Sequence, residues 1–257
     1  MIIDSHLHFD NRLSEDIFGL AKNLNQDLKN SNIDFGVVLH LDIQPWNLDQ
    51  FSRAIAENDR LIGFANIHPF DNNCNDSLRN SIENLGFKGL KLHPRLQKYE
   101  ISDQRVSDLI SFAGEIGVPV LIDAFPDGDW LTMGFDPLKF MSLARKSPKT
   151  KIIIAHFGGH RCVDFMMMAK RLPNVYFDCS YSLLYYRGSS VTQNIIYCMQ
   201  SMGFNRVFYG SDYPDRSIND SLDFSLVEFK KFGINADNLR KIMGGNFAKL
   251  LGLRNEE

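Results

Sequence analysis

The chain has 257 residues, 44% hydrophobic and 23% charged, with a formal net charge of -3 at neutral pH. These are the proportions of a globular protein, and the charge leaves no electrostatic footprint for nucleic acid. The four cysteines, Cys74, Cys162, Cys179 and Cys198, form no CxxC pair, which argues against a zinc knuckle or a disulfide framework. No apolar run is long enough to cross a bilayer and no basic segment precedes the first apolar residues, so a cytoplasmic protein with neither membrane nor nucleic-acid partners is expected.

Short apolar runs alternate with stretches of helical period along the whole chain. Strands are predicted at Ile2–Asp4, Phe35–Leu41, Leu61–Ile67, Gly89–His93, Val118–Asp123, Lys151–Ala155, Val175–Asp178 and Arg206–Tyr209. Helices are predicted near Glu15–Asn30, Leu48–Glu57, Asp76–Leu85, Asp103–Ile116, Pro137–Lys146, Val163–Arg171, Val191–Met202 and Ser221–Phe232. Local signals agree. Asp103 stands before one helical pattern and Gly117 after it, and Pro137 suits the first turn behind a capping Asp136. The tail NLRKIMGGNFAKLLGL is apolar at helical spacing and is expected to pack on the outer ring.

Eight strands in strict alternation with eight helices predict a parallel sheet, and at this length its natural closure is a single (β/α)8 TIM barrel with a C-terminal helical tail, one unit over residues 1–257. The rival is an open doubly wound sheet, but no GxGxxG follows the first strand. A barrel of this kind works at the C-terminal ends of its strands. The first strand ends in His6-Leu7-His8, the fourth in GLKLHPR with Lys91 and His93, the fifth in LIDAFPDG with Asp123, the sixth in IAHFGGH with His156, and the eighth in YGSDYP with Asp212.

Side chains alternate along a strand, so His6 and His8 point together into the mouth while Leu7 faces the helices. Two neutral imidazoles on one side of one strand form a bidentate metal clamp. Asp212, on the strand that closes beside the first, reaches the same point, and His156 completes the site or acts beside it as acid or base. Any one of these residues alone reads as a hydrogen-bonded core histidine or a capping aspartate; His68, before Pro69, is read so. The set on one face is read as a site.

The stretches DSHLH, GLKLHP, IAHFGG, YGSDYP and IMGGNFAKLLGL resemble the amidohydrolase superfamily along the whole chain. The closest likeness is to the branch that includes aminocarboxymuconate semialdehyde decarboxylase, resorcylate decarboxylase and pyrone dicarboxylate lactonase. The resemblance implies that His6 and His8 are paired metal ligands. It implies that Asp212 is a ligand and proton acceptor, and that His156 is a ligand or polarises the substrate. One position departs: many members end the fifth strand in PVLIH, with a histidine ligand, where this chain reads PVLID with Asp123. A carboxylate still binds zinc or manganese, so Asp123 is a candidate ligand; the change also opens a metal-free lactonase. The KLHP context of Lys91 resembles members with one metal or none, which implies at most one divalent ion; N/O ligands without thiolate put zinc first and manganese second.

Aromatic and cationic residues in the loops suit a small, flat or anionic substrate. Lys91, His93, Arg95, Trp130, Tyr181 and Arg187 are the candidates to bind it. The expected reaction is metal-assisted hydrolysis of an ester, lactone or amide-like bond, with Asp212 as base. The alternatives are non-oxidative decarboxylation of an aromatic or enoic acid, and a barrel that binds a ligand without catalysis. The partner is a small-molecule substrate; monomer and homodimer are both open.

Overall fold

The computed structural model describes residues 1–253, so the last four residues of the expected 1–257 unit lie outside it. Eight parallel strands run in sequence order: β1 Ile3–Leu7, β2 Phe35–Leu39, β3 Leu61–Asn66, β4 Gly89–Leu92, β5 Val120–Ile122, β6 Ile152–Ile154, β7 Val175–Asp178 and β8 Val207–Phe208. The ring closes where Ser5 N donates to Tyr209 O (3.0 Å) and His8 N to Tyr213 O (2.7 Å). This is a (β/α)8 TIM barrel. All eight predicted strands and helices form, and the capping signals act as expected. Asp103 accepts from Arg105 N, and Asp136 accepts from Leu138 N with Pro137 in the first turn.

Strand parity divides the core. Val37, Leu39, Ile62, Phe64, Leu121, Ile153 and Phe208 fill the barrel, while Val38, Leu90, Leu92, Val120, Ile122, Ile152 and Ile154 face the helices. In β1 the pairing register shifts between Asp4 and Leu7. That irregularity lets Ile3 belong to the interior and Leu7 to the outer core, so His6 and His8 turn inward at the mouth.

The tail departs from expectation. Phe247, Ala248 and Leu250 join the interior cluster, not the outer ring, with Phe247 edge-on to Phe208 at 5.0 Å. Asn246 Nδ2 donates to Phe204 O and to Val207 O at the start of β8. The helix therefore plugs the N-terminal end of the barrel, where inward-facing apolar side chains would otherwise meet water.

Candidate active site at the barrel mouth

The loops after the strands carry short helices absent from the sequence expectation, at Pro94–Gln97, Gly128–Thr132 and Ser182–Tyr185. Together the loops frame a cavity of about 730 Å³. Its floor holds His6, His8, Lys91, Asp123, His156 and Asp212, and its walls include His93, Arg95, Phe125, Tyr181 and Tyr185.

His6, His8 and Asp212 converge. Asp212 Oδ1 lies 3.4 Å from His6 Nε2 and 3.7 Å from His8 Nε2. The opposite edge of each imidazole is occupied. His8 Nδ1 lies 2.9 Å from Leu39 O, which can only accept, so this nitrogen carries the hydrogen. His6 Nδ1 lies 3.0 Å from Asp178 Oδ2. Burial lowers the pKa of both imidazoles, helped at His6 by Lys91 and at His8 by His6 and Lys91. Neutral rings with the Nε2 lone pairs turned towards a carboxylate are the donor set of a divalent cation site, and these three residues fit one ion.

His156 and Asp123 pair with each other instead. His156 Nε2 lies 3.1 Å from Asp123 Oδ1, and its Nδ1 lies 3.0 Å from Ser180 Oγ. Burial opposes charge on His156, but the Asp123 hydrogen bond and the carboxylates of Asp212, Asp123 and Asp178 lift its pKa to about 9. Burial would raise Asp123; His93, His156 and Lys91 hold it below the usual carboxylate range. Neither residue joins the point shared by His6, His8 and Asp212, which departs from the expectation that one of them is a further ligand. The reason is mutual: both side chains are buried, and each offers the other an opposite charge.

An unusual backbone aims His156. His156 and Phe157 have φ of 58° and 53°, followed by Gly158 and Gly159 at 69° and 55°. Left-handed geometry costs a non-glycine residue about 1–2 kcal/mol, so this turn needs bracing. Phe157 stacks on Phe177 at 4.3 Å, Ser182 Oγ donates to His156 O at 2.6 Å, and His156 N donates to Asp178 Oδ1 at 3.0 Å. A Cβ on Gly158 would also stand 2.2 Å from the Phe165 ring.

Asp178, at the end of β7, is the site residue that the sequence reading missed. The strand-end position that singled out Asp123 and Asp212 applied equally to it in VYFDCS. A second triplet, His6, His156 and Asp178, is close enough to suggest a cation, but its short contacts are hydrogen bonds already made. Burial would raise the Asp178 carboxyl, yet His6 and His156 bring it below the usual range.

Of the expected substrate contacts, Lys91, His93, Arg95 and Tyr181 line the cavity. Lys91 is fully buried, its Nζ 3.4 Å from His6 Nε2, and burial pulls its pKa down against the carboxylates around it. His93 Nδ1 accepts from Leu96 N, and burial lowers its pKa to about 3. Arg95 pairs with Asp127 at 3.0 Å, while its buried Nε has no partner. Tyr181 stacks on Tyr185 at 4.9 Å under the Arg216 guanidinium. Two candidates are elsewhere. Trp130 packs against Phe135 and Phe140 in the outer core, because the short helix that carries it turns the indole inward. Arg187 is exposed beyond the end of the helix Ser182–Tyr185 and does not line the cavity.

The amidohydrolase family model matches residues 3–253, and the chain belongs to that family. No curated protein matches the sequence. Among solved structures, an uncharacterized TIM-barrel protein from Bordetella bronchiseptica is 17% identical over 98% of both chains, with a TM-score of 0.80. A probable 2-pyrone-4,6-dicarboxylic acid hydrolase from Acinetobacter baumannii, with citric acid bound, is 17% identical over 98% of this chain and 99% of its own, with a TM-score of 0.71. A dihydroxybenzoic acid decarboxylase from Polaromonas, with bound manganese and the inhibitor 2-nitroresorcinol, is 17% identical over 99% and 98%, again with a TM-score of 0.71. At this identity the likeness is one of fold. Among the described residues no helix is long and apolar enough to cross a membrane.

Proposed function

We propose that this protein is a metal-dependent hydrolase of a small anionic ester, lactone or amide-like substrate. The observation that carries the proposal is the convergence of His6 Nε2, His8 Nε2 and Asp212 Oδ1 on the cavity floor. These three residues would hold the ion, and N/O donors without thiolate favour zinc, with manganese second. Such an ion, when bound, lowers the pKa of water and polarises a carbonyl oxygen.

The chain's own residues supply the rest. Asp212 is partly exposed, at 16% against 1% for His6, so its carboxylate is open to take a proton from water and return it to the leaving group. His156, buried and held positive by Asp123, supplies charge beside an oxyanion. Lys91 and Arg95 are the cations for a substrate carboxylate, and the unpartnered Arg95 Nε is a donor without an acceptor. Tyr181, Tyr185 and Phe125 form an aromatic wall for a flat group.

Decarboxylation is the second reading. A buried imidazolium suits protonation of carbon, and the likeness to a manganese-bearing decarboxylase supports it. The test is turnover of a panel of lactones, esters and aromatic acids, with metal content measured before and after chelation. Hydrolysis products that disappear with the metal and return on zinc or manganese addition support the first reading; carbon dioxide release moves the assignment to the second. Undiminished turnover without metal points to a metal-free lactonase, and binding without turnover to a ligand-binding barrel.

A further inference from the structure

Asp178 is a buried carboxylate that the proposed reaction does not touch, yet it reaches both sides of the site. Its Oδ1 accepts from two backbone donors, His156 N and Ser180 N, each at 3.0 Å, and from the Ser180 hydroxyl. Its Oδ2 faces His6 Nδ1 at 3.0 Å. We propose that Asp178 is a positioning residue for two histidines at once, holding His6 in its Nδ1–H tautomer and pinning the left-handed turn that presents His156.

The hydrogen-bond inventory leaves little freedom. A carboxylate has no hydrogen to give, so His6 Nδ1 is the donor in this contact. Lys91 Nζ approaches the other nitrogen, Nε2, at 3.4 Å, as a donor approaches a lone pair. The Ser180 hydroxyl hydrogen goes to Asp178, leaving Ser180 Oγ to accept from His6 Nδ1 (3.2 Å) and His156 Nδ1 (3.0 Å). With the hydrogen on Nε2 instead, the Nδ1 lone pair and the Asp178 carboxylate would face each other at 3.0 Å with no hydrogen between them. With it on Nδ1, the Nε2 lone pair faces Asp212, which is what metal ligation requires.

The same inventory fixes what Asp178→Asn does. The Oδ1 position must stay an acceptor, because two backbone N–H groups point at it. The amide nitrogen is therefore forced to the Oδ2 position, where its hydrogens face His6 Nδ1. His6 accepts there only by moving its hydrogen to Nε2, which removes the ligand lone pair. A residue that merely fills space predicts no such exchange.

The experiment reads the tautomer in metal-free protein labelled with 15N-histidine, by long-range 1H–15N correlation, with His6 assigned from the signal lost in His6→Gln. Wild-type protein is expected to show His6 as Nδ1–H, and Asp178→Asn to show Nε2–H. Zinc affinity, measured by competition with a chromophoric chelator, is expected to fall about 10- to 100-fold in Asp178→Asn. Ser180→Ala keeps the carboxylate and is expected to keep the wild-type tautomer. A wild-type Nε2–H tautomer overturns the proposal whether or not the Asn variant folds. So does an Asn variant that keeps Nδ1–H. Only the affinity arm rests on the metal-dependent reading: a wild-type protein that takes up no zinc defeats that reading while the tautomer still decides this one.

Discussion

The two ends of the barrel are built from the same eight strands, yet they are chemical opposites. At the N-terminal end, Ile3, Val37, Ile62, Phe208 and the tail's Phe247 form a dry plug. At the C-terminal end, inward positions carry His6, His8, Lys91, Asp123, Asp178 and Asp212, most of them buried. One end gains stability from apolar area removed from water. The other spends it, since buried charge costs free energy unless each group has a partner. The mouth meets that cost by pairing: His156 with Asp123, His6 with Asp178, Arg95 with Asp127. An end that bears this expense is where we place the proposed chemistry, and substitutions at the two ends should separate rate from stability.

The largest expected effect is at the mouth. Asp212→Asn keeps the size and one acceptor oxygen but removes the proposed base. Turnover of whichever panel substrate is accepted should fall about 10²- to 10⁴-fold, with the melting temperature unchanged. Parent-like turnover in the variant would leave Asp212 as a ligand at most and would end the proposed base mechanism. The counterpart at the floor is Phe247→Ala, which opens a cavity between Phe64 and Phe208. Denaturant unfolding should show a loss of about 3–5 kcal/mol, while activity per folded molecule holds. A variant as stable as the parent would mean that the tail is not the plug described above.

A smaller effect separates binding from catalysis within the mouth. Arg95→Ala removes a cation from the wall without touching the floor. Charge-assisted hydrogen bonds contribute about 1.5–3 kcal/mol, so KM for an acidic substrate should rise about 10- to 100-fold with kcat nearly kept, and an uncharged analogue should not notice. Equal losses on both substrates would assign Arg95 a structural role through Asp127.

What the sequence made legible follows the same division. Short apolar runs, stretches of helical period and capping residues located the strands and helices, because those signals are local. Position at a strand end drew out His6, His8, His156 and Asp212, because parallel strands in a barrel all present that end to one mouth. Local signals could not say which partner each buried charge takes. Asp123 faces His156 across 33 positions, and nothing in LIDAFPDG reveals that the pair forms in place of ligation. Asp178 ends its strand as Asp123 does, but nothing local in VYFDCS tells that its carboxylate turns to His6 and the His156 backbone. The tail's amphipathic pattern showed that one face is buried but not against which end of the barrel. Loop residues were the least legible, since a short helix in a βα loop can turn a side chain to either side.

Arg187 and Trp130 test that last point with the smallest expected effects. Both lie in βα loops, and both suited a flat or anionic substrate by residue type alone. Arg187 is exposed, with no side-chain hydrogen bond or ion pair among the described residues, and does not line the cavity. Arg187→Ala should therefore leave kcat/KM for an acidic substrate within about twofold, since exposed charges away from a binding site contribute little. Trp130 instead packs on Phe135 and Phe140, so Trp130→Phe keeps an aromatic ring there and should cost stability of about 1 kcal/mol, the usual size of a core substitution, without altering KM. A tenfold rise in KM for Arg187→Ala would place that arginine over the substrate. The loop after β7 would then have to close on binding, making the mouth a moving site rather than the preformed one that the paired charges describe.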